Sequence, residues 1–546
     1  MSAHPHTTSR PLAISTLSPV HIGCGEVYEP SNFVIHDGLL HALDPSDLAA
    51  ALSDSERKRL AALAEEREPI GAMQRFFRDA AARLAELARH QVAIVPSLEQ
   101  EYRDKAGRPT QRARDGEATY NLFPIARTAF RPLDDSPYLP GSSLKGSIRT
   151  AYLNHINSGR KLTAAEQAER RPAGRSVEQR LLGYNRNQFE KDPFRLLALA
   201  DAHPEEGCTP PPTRVLYCIS KKKRQPREGE RPSPELQVFL ETIPDALPAA
   251  FCSEVRFGPR AAILWNELCD ACNGFYRPQL EAELCHPLLG PQLDSEWRQL
   301  MQELLDAELA ELIAARQGLL LRVGRHSGAE SVTLDGVRSI KILGARVNGK
   351  QTFDFRALPT EKRYARPNKA TDSKLLPFGW IWVDGSDDRH RHLSDALRQK
   401  LALRSRPLCE AHRDRLSRLE ARQAELALAK AVALERQRTE AAAVRAEAET
   451  RQQRELELAR MSANGRRVQQ FLTDFAARAE QLRGNKENPN GTFHGMARAL
   501  ARDAAEWPHE ERLAAADAIE QWLPKVVRVD LKEERKKLRL AALRTA

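Results

Sequence analysis

Tyr138-Leu-Pro-Gly-Ser-Ser-Leu-Lys-Gly-Ser-Ile-Arg-Thr-Ala-Tyr152 reads as a glycine- and serine-rich loop opening into a helix that runs to about Asn157. Gly141 and Gly146 let a ligand approach the backbone closely. Ser142 and Ser143 suit the N-cap of the helix. Lys145 and Arg149 stand four apart and project from one face of its first turns. Free N–H groups, the positive helix end and two cations together describe an anion site, phosphate being the usual anion. The spacing is not that of a Walker A loop, so nucleotide hydrolysis is not implied. The plain alternative is an ordinary helix start with surface cations, and the segment alone leaves both readings open.

Strand signals flank this segment. Upstream, Leu12–Ile22 runs into Gly23-Cys-Gly25, and Asn32–His36 ends in a His-Asp-Gly turn at 36–38. Residues 46–90 are helix-patterned, and 122–131 read as a strand entering the loop. Downstream, Phe194–Asp201 reads as a buried strand. Thr213–Ile219 and Leu236–Ile243 bracket a basic insert holding Lys221, Lys222, Lys223, Arg224, Arg227 and Arg231, which reads as a projecting hairpin. Residues 259–316 are mostly helical. Leu319–Gly328 is a strand ending in a second glycine loop, with Arg322, Gly324, Arg325 and Gly328. Ser331–Gly336 and Lys374–Val383 are further strand signals. Pro19–Gly25 and Leu321–Gly328 are both strand-then-glycine and read as equivalent loops of two halves. The order indicates an α+β body of two ferredoxin-like units.

Beyond residue 386 the character changes. Residues 409–461 contain no Gly or Pro, and opposite charges recur at i,i+4, as in Arg436/Glu440, Arg445/Glu449 and Arg451/Glu455. This predicts a long exposed helix broken at Asn464-Gly465. A heptad seam through Leu419, Leu426 and Ala433 fails at Glu440, which favours a solitary helix over a coiled coil. Residues 466–546 predict a small helical unit with Val468, Phe471, Phe475, Ile519 and Leu523 inward. The expected domains are 12–250, 251–385, a linker at 386–464, and 465–546.

The chain has 546 residues, 41% hydrophobic and 29% charged, enough for several packed domains with long solvated helices. A net charge of +10 favours polyanionic partners, nucleic acid first among them. No apolar run reaches the ~18–20 residues of a membrane helix, and the first ten residues lack a signal-peptide core, so a cytoplasmic location is expected. Eight scattered cysteines suggest reduced thiols rather than a disulfide framework.

Three motifs in order resemble one family. Thr16–Pro30 looks like its N-terminal strand and first glycine loop, and Leu139–Arg149 like its phosphate-facing helix start. Leu321–Gly328, with Pro377-Phe-Gly-Trp-Ile-Trp382, looks like its second glycine loop and closing strand. The family is the RAMP superfamily of CRISPR-associated proteins, and the resemblance covers about residues 12–385. Within it, the chain is most similar to the subunit closing the type III-A (Csm) filament at the crRNA 3′ side. The resemblance implies RRM-like units and crRNA as ligand. It also implies other Csm subunits as partners (backbone RAMP and small subunits), with host nucleases trimming the 3′ end. It implies binding without chemistry, no cofactor, and a role in antiviral defence. The residues it nominates for RNA contact are Gly23, Gly25, Gly141, Ser142, Ser143, Lys145, Gly146, Arg149, Arg322, Gly324, Arg325 and Gly328. The 386–546 extension has no counterpart in the family's core pattern.

Catalytic readings stay open beside this one. Some RAMP relatives cut CRISPR repeat RNA without metal, using a histidine, and His21, His155 and His326 lie near the candidate loops. Asp37, Asp134 and Asp135 are loop carboxylates, but none sits in a recognisable metal-dependent site, and no catalytic residue is assigned. A general RNA-binding scaffold whose tail recruits a partner is a further reading. Cys269-Asp-Ala-Cys272 with Cys285-His286 has zinc-like spacing. Helical patterning over 265–275 and the adjacency of 285 and 286 argue instead for buried thiols, so no metal is assigned.

Overall fold

Strand Thr8–Thr16 buries Leu12 and Ile14 and forms the middle of a five-stranded antiparallel sheet. The order across that sheet is Gly318–Arg322, Trp380–Asp384, Thr8–Thr16, Phe251–Phe257, Leu197–Leu199. Four of these strands, numbered along the chain from Thr8–Thr16 to Trp380–Asp384, stand fourth, first, third, second. Helix Gly141–Asn157 links the first to the second, and helix Trp265–Leu284 lies between the third and the fourth. The two helices pack against each other, and Leu144, Ile148, Leu268 and Tyr276 join the core beneath them. Gly318–Arg322 adds a fifth strand at the edge. The computed structural model describes residues 6–66, 68–112, 118–168, 174–185, 188–225, 238–347, 350–369 and 373–545.

Two ferredoxin-like units were expected, but this strand order occurs once among the described residues. The second sheet runs Gly23–Tyr28, Ile125–Thr128, Val238–Thr242, Arg214–Lys222, His90–Ile94, Leu39–Ala42, Phe33–His36 and mixes parallel with antiparallel pairs. Nor does residue 250 separate two sheets. Thr8–Thr16 lies between Phe251–Phe257 and Trp380–Asp384, so strands from both expected halves share one hydrogen-bonded ladder. The chain forms two compact units, Met1–Gln423 and Ala424–Ala546.

Local corrections have local causes. Phe194–Asp201 is a 3₁₀ turn followed by a three-residue strand, because Asp192 caps the Phe194 N–H at 2.9 Å and starts a turn. Ser331–Gly336 is not a strand. Ala329–Val332 forms a 3₁₀ turn, and the Asp335 carbonyl accepts from Asn157 Nδ2 at 2.9 Å, which ties the segment to the end of the long helix. Lys221 and Lys222 continue the strand Arg214–Lys222, paired with Glu361–Arg366. Arg227, Arg231 and the expected hairpin tip lie outside the described residues. The hairpin that does stand apart from both sheets is Ile340–Val347 with Lys350–Arg356.

The helix predicted at 409–461 spans Arg391–Arg460, continuous through Pro407. Two of the expected pairs form, Arg436–Glu440 at 2.8 Å and Arg451–Glu455 at 3.2 Å. The break falls at Met461-Ser462 rather than Asn464-Gly465, because Ser462 Oγ accepts the Gly465 N–H at 3.0 Å and caps the next helix. Helices Ala463–Leu482, Thr492–Ala504, His509–Val526, Leu531–Lys537 and Leu540–Arg544 then enclose Val468, Phe471, Phe475, Ile519 and Leu523.

Candidate functional site

Helix Gly141–Asn157 starts where the sequence places it, but its end is not an open anion site. Asp201 Oδ1 accepts the Gly141 N–H at 2.7 Å, and the Pro140 carbonyl accepts the Ser143 N–H at 2.9 Å. Ser142 and Ser143 lie inside the first turn and do not cap it. Gly141 is pressed against the next strand, where a Cβ would collide with the Leu199 carbonyl. Its small size therefore serves packing.

The expected cations are also occupied. Lys145 Nζ donates to the Leu197 carbonyl at 2.6 Å. Arg149 Nη2 donates to Asp192 Oδ2 at 2.8 Å and also pairs with Glu178, its guanidinium 4.8 Å from the Phe194 ring centroid. Arg322 is 1% exposed. Its Nε donates to the Phe378 carbonyl at 2.9 Å and its Nη1 lies 3.3 Å from Glu283 Oε2. These three side chains fix the fold rather than project toward a ligand.

Buried Glu283 also receives Lys362 Nζ at 2.8 Å and Trp380 Nε1 at 3.0 Å. Burial pushes its carboxyl pKa up, but Arg322 and Lys362 outweigh that and hold it below the ordinary range. Glu330 behaves alike: burial raises it, and Lys362 and Lys223 together bring it down to about 2. This ionic cluster underlies the second glycine loop and anchors it.

The glycine segments do meet. A groove of about 680 Å³ is walled by Ile22, Gly23 and Gly25 on one side and by Ser143, Gly146, Ser147 and Thr150 of the helix on another. Arg322, Gly324, Arg325, Ser327 and Val332 complete it. The groove therefore runs along the flank of the helix, not over its N-terminus. Among the described residues no carboxylate lines it. Arg325 is its exposed cation, while Arg322, whose side chain is out of solvent, faces it through the main chain. The Arg322 carbonyl accepts Ser147 Oγ at 3.0 Å, which joins loop to helix.

Gly324 is required where it stands. Its φ is +77°, and a Cβ there would collide with the His21 carbonyl, which accepts the Arg325 N–H at 2.8 Å. That hydrogen bond puts the two strand-then-glycine segments side by side. Gly146 is different, for a Cβ there meets nothing, so the helix simply presents bare surface to the groove. Strand Gly23–Tyr28 pairs irregularly with Ile125–Thr128 between Gly23 and Val27, which leaves that edge of the groove uneven.

Of the nominated residues, Gly23, Gly25, Ser143, Gly146, Arg322, Gly324 and Arg325 are brought together, and Gly141, Ser142, Lys145, Arg149 and Gly328 are not. Sequence reasoning missed Ser147, Thr150 and Ser327. Ser147 and Thr150 follow from the helical spacing of Ser143 and Gly146.

Two histidines lie by the groove. His21 is fully buried with Nδ1 2.7 Å from the Glu241 carbonyl, and burial lowers its pKa. His326 is lowered to about 4, first by burial and then by Arg325, Arg363 and His21. Both rings are neutral at pH 7. His155 is exposed in the last turn of the helix. Asp134 and Asp135 are paired with Arg131 and Arg127. Cys269 and Cys272 are buried on one helix, burial pushing the Cys269 thiol up to about 12, and Cys285 is exposed. Among the described residues no three His, Cys, Asp or Glu side chains gather as a metal site. No helix among them is long and apolar enough to cross a membrane.

The free-standing hairpin carries a second feature. Cross-strand pairs Lys341–Phe355 and Leu343–Phe353 share one face. Leu343, Phe353 and Phe355 are 68%, 54% and 58% exposed, and Lys341 Nζ lies 4.2 Å from the Phe353 ring centroid.

The model of the RAMP superfamily matches residues 13–257, from the central strand through the helix flanking the groove to strand Phe251–Phe257. No curated protein matches the sequence. Among solved structures, a chain of a Csm–crRNA–target RNA ternary complex of a type III-A CRISPR-Cas system aligns at 16% identity. It covers 69% of this chain and 100% of that one, with a TM-score of 0.42. Csm5 of T. onnurineus aligns at 16% identity over 68% and 99%, with a TM-score of 0.41. Likenesses of that depth do not bear on activity or partners. Over residues 13–257, which hold the groove's first two walls, the chain is similar to the RAMP superfamily.

Proposed function

We propose that this chain is a crRNA-binding structural subunit of a type III-A CRISPR interference complex. It closes the filament at the crRNA 3′ side and supports 3′-end maturation and antiviral defence without chemistry of its own. The observation that carries RNA binding is the groove: bare glycine surface, Ser and Thr hydroxyls, an exposed arginine and, among the described residues, no carboxylate. Such a surface takes a phosphate backbone by shape and hydrogen bonds, with no base readout. The strand order fourth, first, third, second supports reading the five-stranded sheet as a ferredoxin-like unit. The filament position follows from the ordered motifs, with backbone RAMP and small Csm subunits as neighbours and host nucleases trimming beyond the cap. The exposed Phe353 and Phe355 beside Lys341 suit stacking on unpaired bases.

The test is a native pull-down of the tagged protein with sequencing of bound RNA, 3′ ends included. Short RNAs with a repeat-derived 5′ tag and a spacer, recovered with other Csm subunits, support the assignment. Recovery alone, or with uncut repeat arrays, overturns it. The second result favours a metal-independent endoribonuclease, a reading kept because His21 and His326 each hold an Nε2 without a hydrogen-bond partner near the groove. In the same assay Arg325→Ala should weaken RNA retention and shallow its salt dependence by about 0.7 in log–log slope, one phosphate contact on a single strand. An unchanged slope would remove Arg325 from the interface.

A further inference from the structure

The C-terminal helices hold a groove that the body's function does not use. It too measures about 680 Å³ and lies between helix Thr492–Ala504 and the segment Lys537–Leu543. Its cations are Arg498, Arg502, Lys537 and Arg539, and among the described residues no carboxylate lines it. All four are exposed. Arg498 donates to the uncharged Asn490 Oδ1 at 2.8 Å. Arg502 touches Asp503 from an 80% exposed side chain. Lys537 reaches back along its own helix to Glu533 at 3.2 Å. The floor is apolar, with Ala501, Leu538 and Leu543.

The walls are held rigidly. His494 Nδ1 accepts the Asn490 N–H at 2.9 Å, so its Nε2 carries the proton and donates to buried Glu534 at 3.1 Å. That bond crosses from one wall's helix to the helix ending at Lys537.

We infer that this groove is a second, sequence-independent binding site for single-stranded RNA. Arg498 and Arg502 stand one turn apart, ~6 Å along the axis, and address neighbouring phosphates of an extended strand. The apolar floor accepts the flat face of a base. Among the described residues no aromatic ring or side-chain amide in the lining reads base identity, so recognition is of backbone and shape. An acidic peptide would satisfy the cations but would leave the apolar floor uncovered. The inference extends the reading of the chain as an RNA-binding protein, but it stands on residues outside the body groove.

The experiment is photocrosslinking of the full chain to a 4-thiouridine-containing oligouridine, with mass-spectrometric mapping. Crosslinked peptides from 492–505 and 537–543 are expected, lost in Arg498→Glu/Arg502→Glu and in the milder Arg498→Gln/Arg502→Gln, with body crosslinks retained. Crosslinks confined to the body, or C-terminal crosslinks that survive both double variants, overturn the site. Displacement of the C-terminal crosslinks by polyglutamate as readily as by unlabelled oligouridine also overturns it, in favour of an acidic peptide. C-terminal crosslinks in an Arg325→Glu chain that has lost its body crosslinks support the site, and keep its fate separate from that of the body groove.

Discussion

Gly324 and Gly146 look alike in sequence and differ in what the fold asks of them. Gly324→Ala puts a Cβ into the His21 carbonyl at positive φ, so a loss of ~1–3 kcal/mol is expected in chemical denaturation. Gly146→Ala fills open space in a helix and should gain about 0.5–1 kcal/mol in the same measurement. Equal effects would refute the distinction. Arg322→Ala takes one of two cations from the buried Glu283 carboxylate, which keeps Lys362 at 2.8 Å, and leaves the Phe378 carbonyl without its donor, at a cost of about 1–3 kcal/mol in chemical denaturation. A variant with wild-type stability that merely bound RNA less would restore Arg322 as a contact. The sequence marks arginines and glycines near the groove, but not which arginine is buried, because that depends on Glu283 and Trp380, distant in the chain.

At the scale of elements, the helix after Pro140 was legible from its serine, glycine and apolar spacing, and so were the strands around it. Its capping was not, because the partner is Asp201, sixty residues away. The hairpin at 340–356 carries a local signal as well, since Asn348-Gly349 between alternating runs is a strong hairpin pattern. The loop after Gly318–Arg322 carries a pH dependence. His326 titrates near 6.5 unfolded and at about 4 in the fold, chiefly through burial. Between those values the unfolded chain binds more protons, so stability is intact above about pH 6.5 and falls as pH drops toward 4. Denaturation midpoints across that window should flatten in His326→Gln, and an unaltered slope would mean the loop does not sense the proton.

At the scale of the molecule, the stretch 429–457 is exposed on every side, whereas each unit has its own core. A helix without tertiary packing opens readily. Limited trypsin should therefore cut first within about 430–460, leaving two fragments that resist further digestion; a first cut inside the body would refute this. Residue pattern alone determined the change of character near 386, the long charged helix and the apolar faces of the last helices, because those depend on local spacing. It also determined the three glycine segments, because only glycine meets their backbone demands or leaves their surface bare. Tertiary structure alone decided that strands from both sides of residue 250 share one sheet. It decided too that Lys145, Arg149 and Arg322 turn inward while Arg325 stays in solvent. A cation's direction is set by the carboxylates and carbonyls that long-range packing brings beside it, and no local pattern records those.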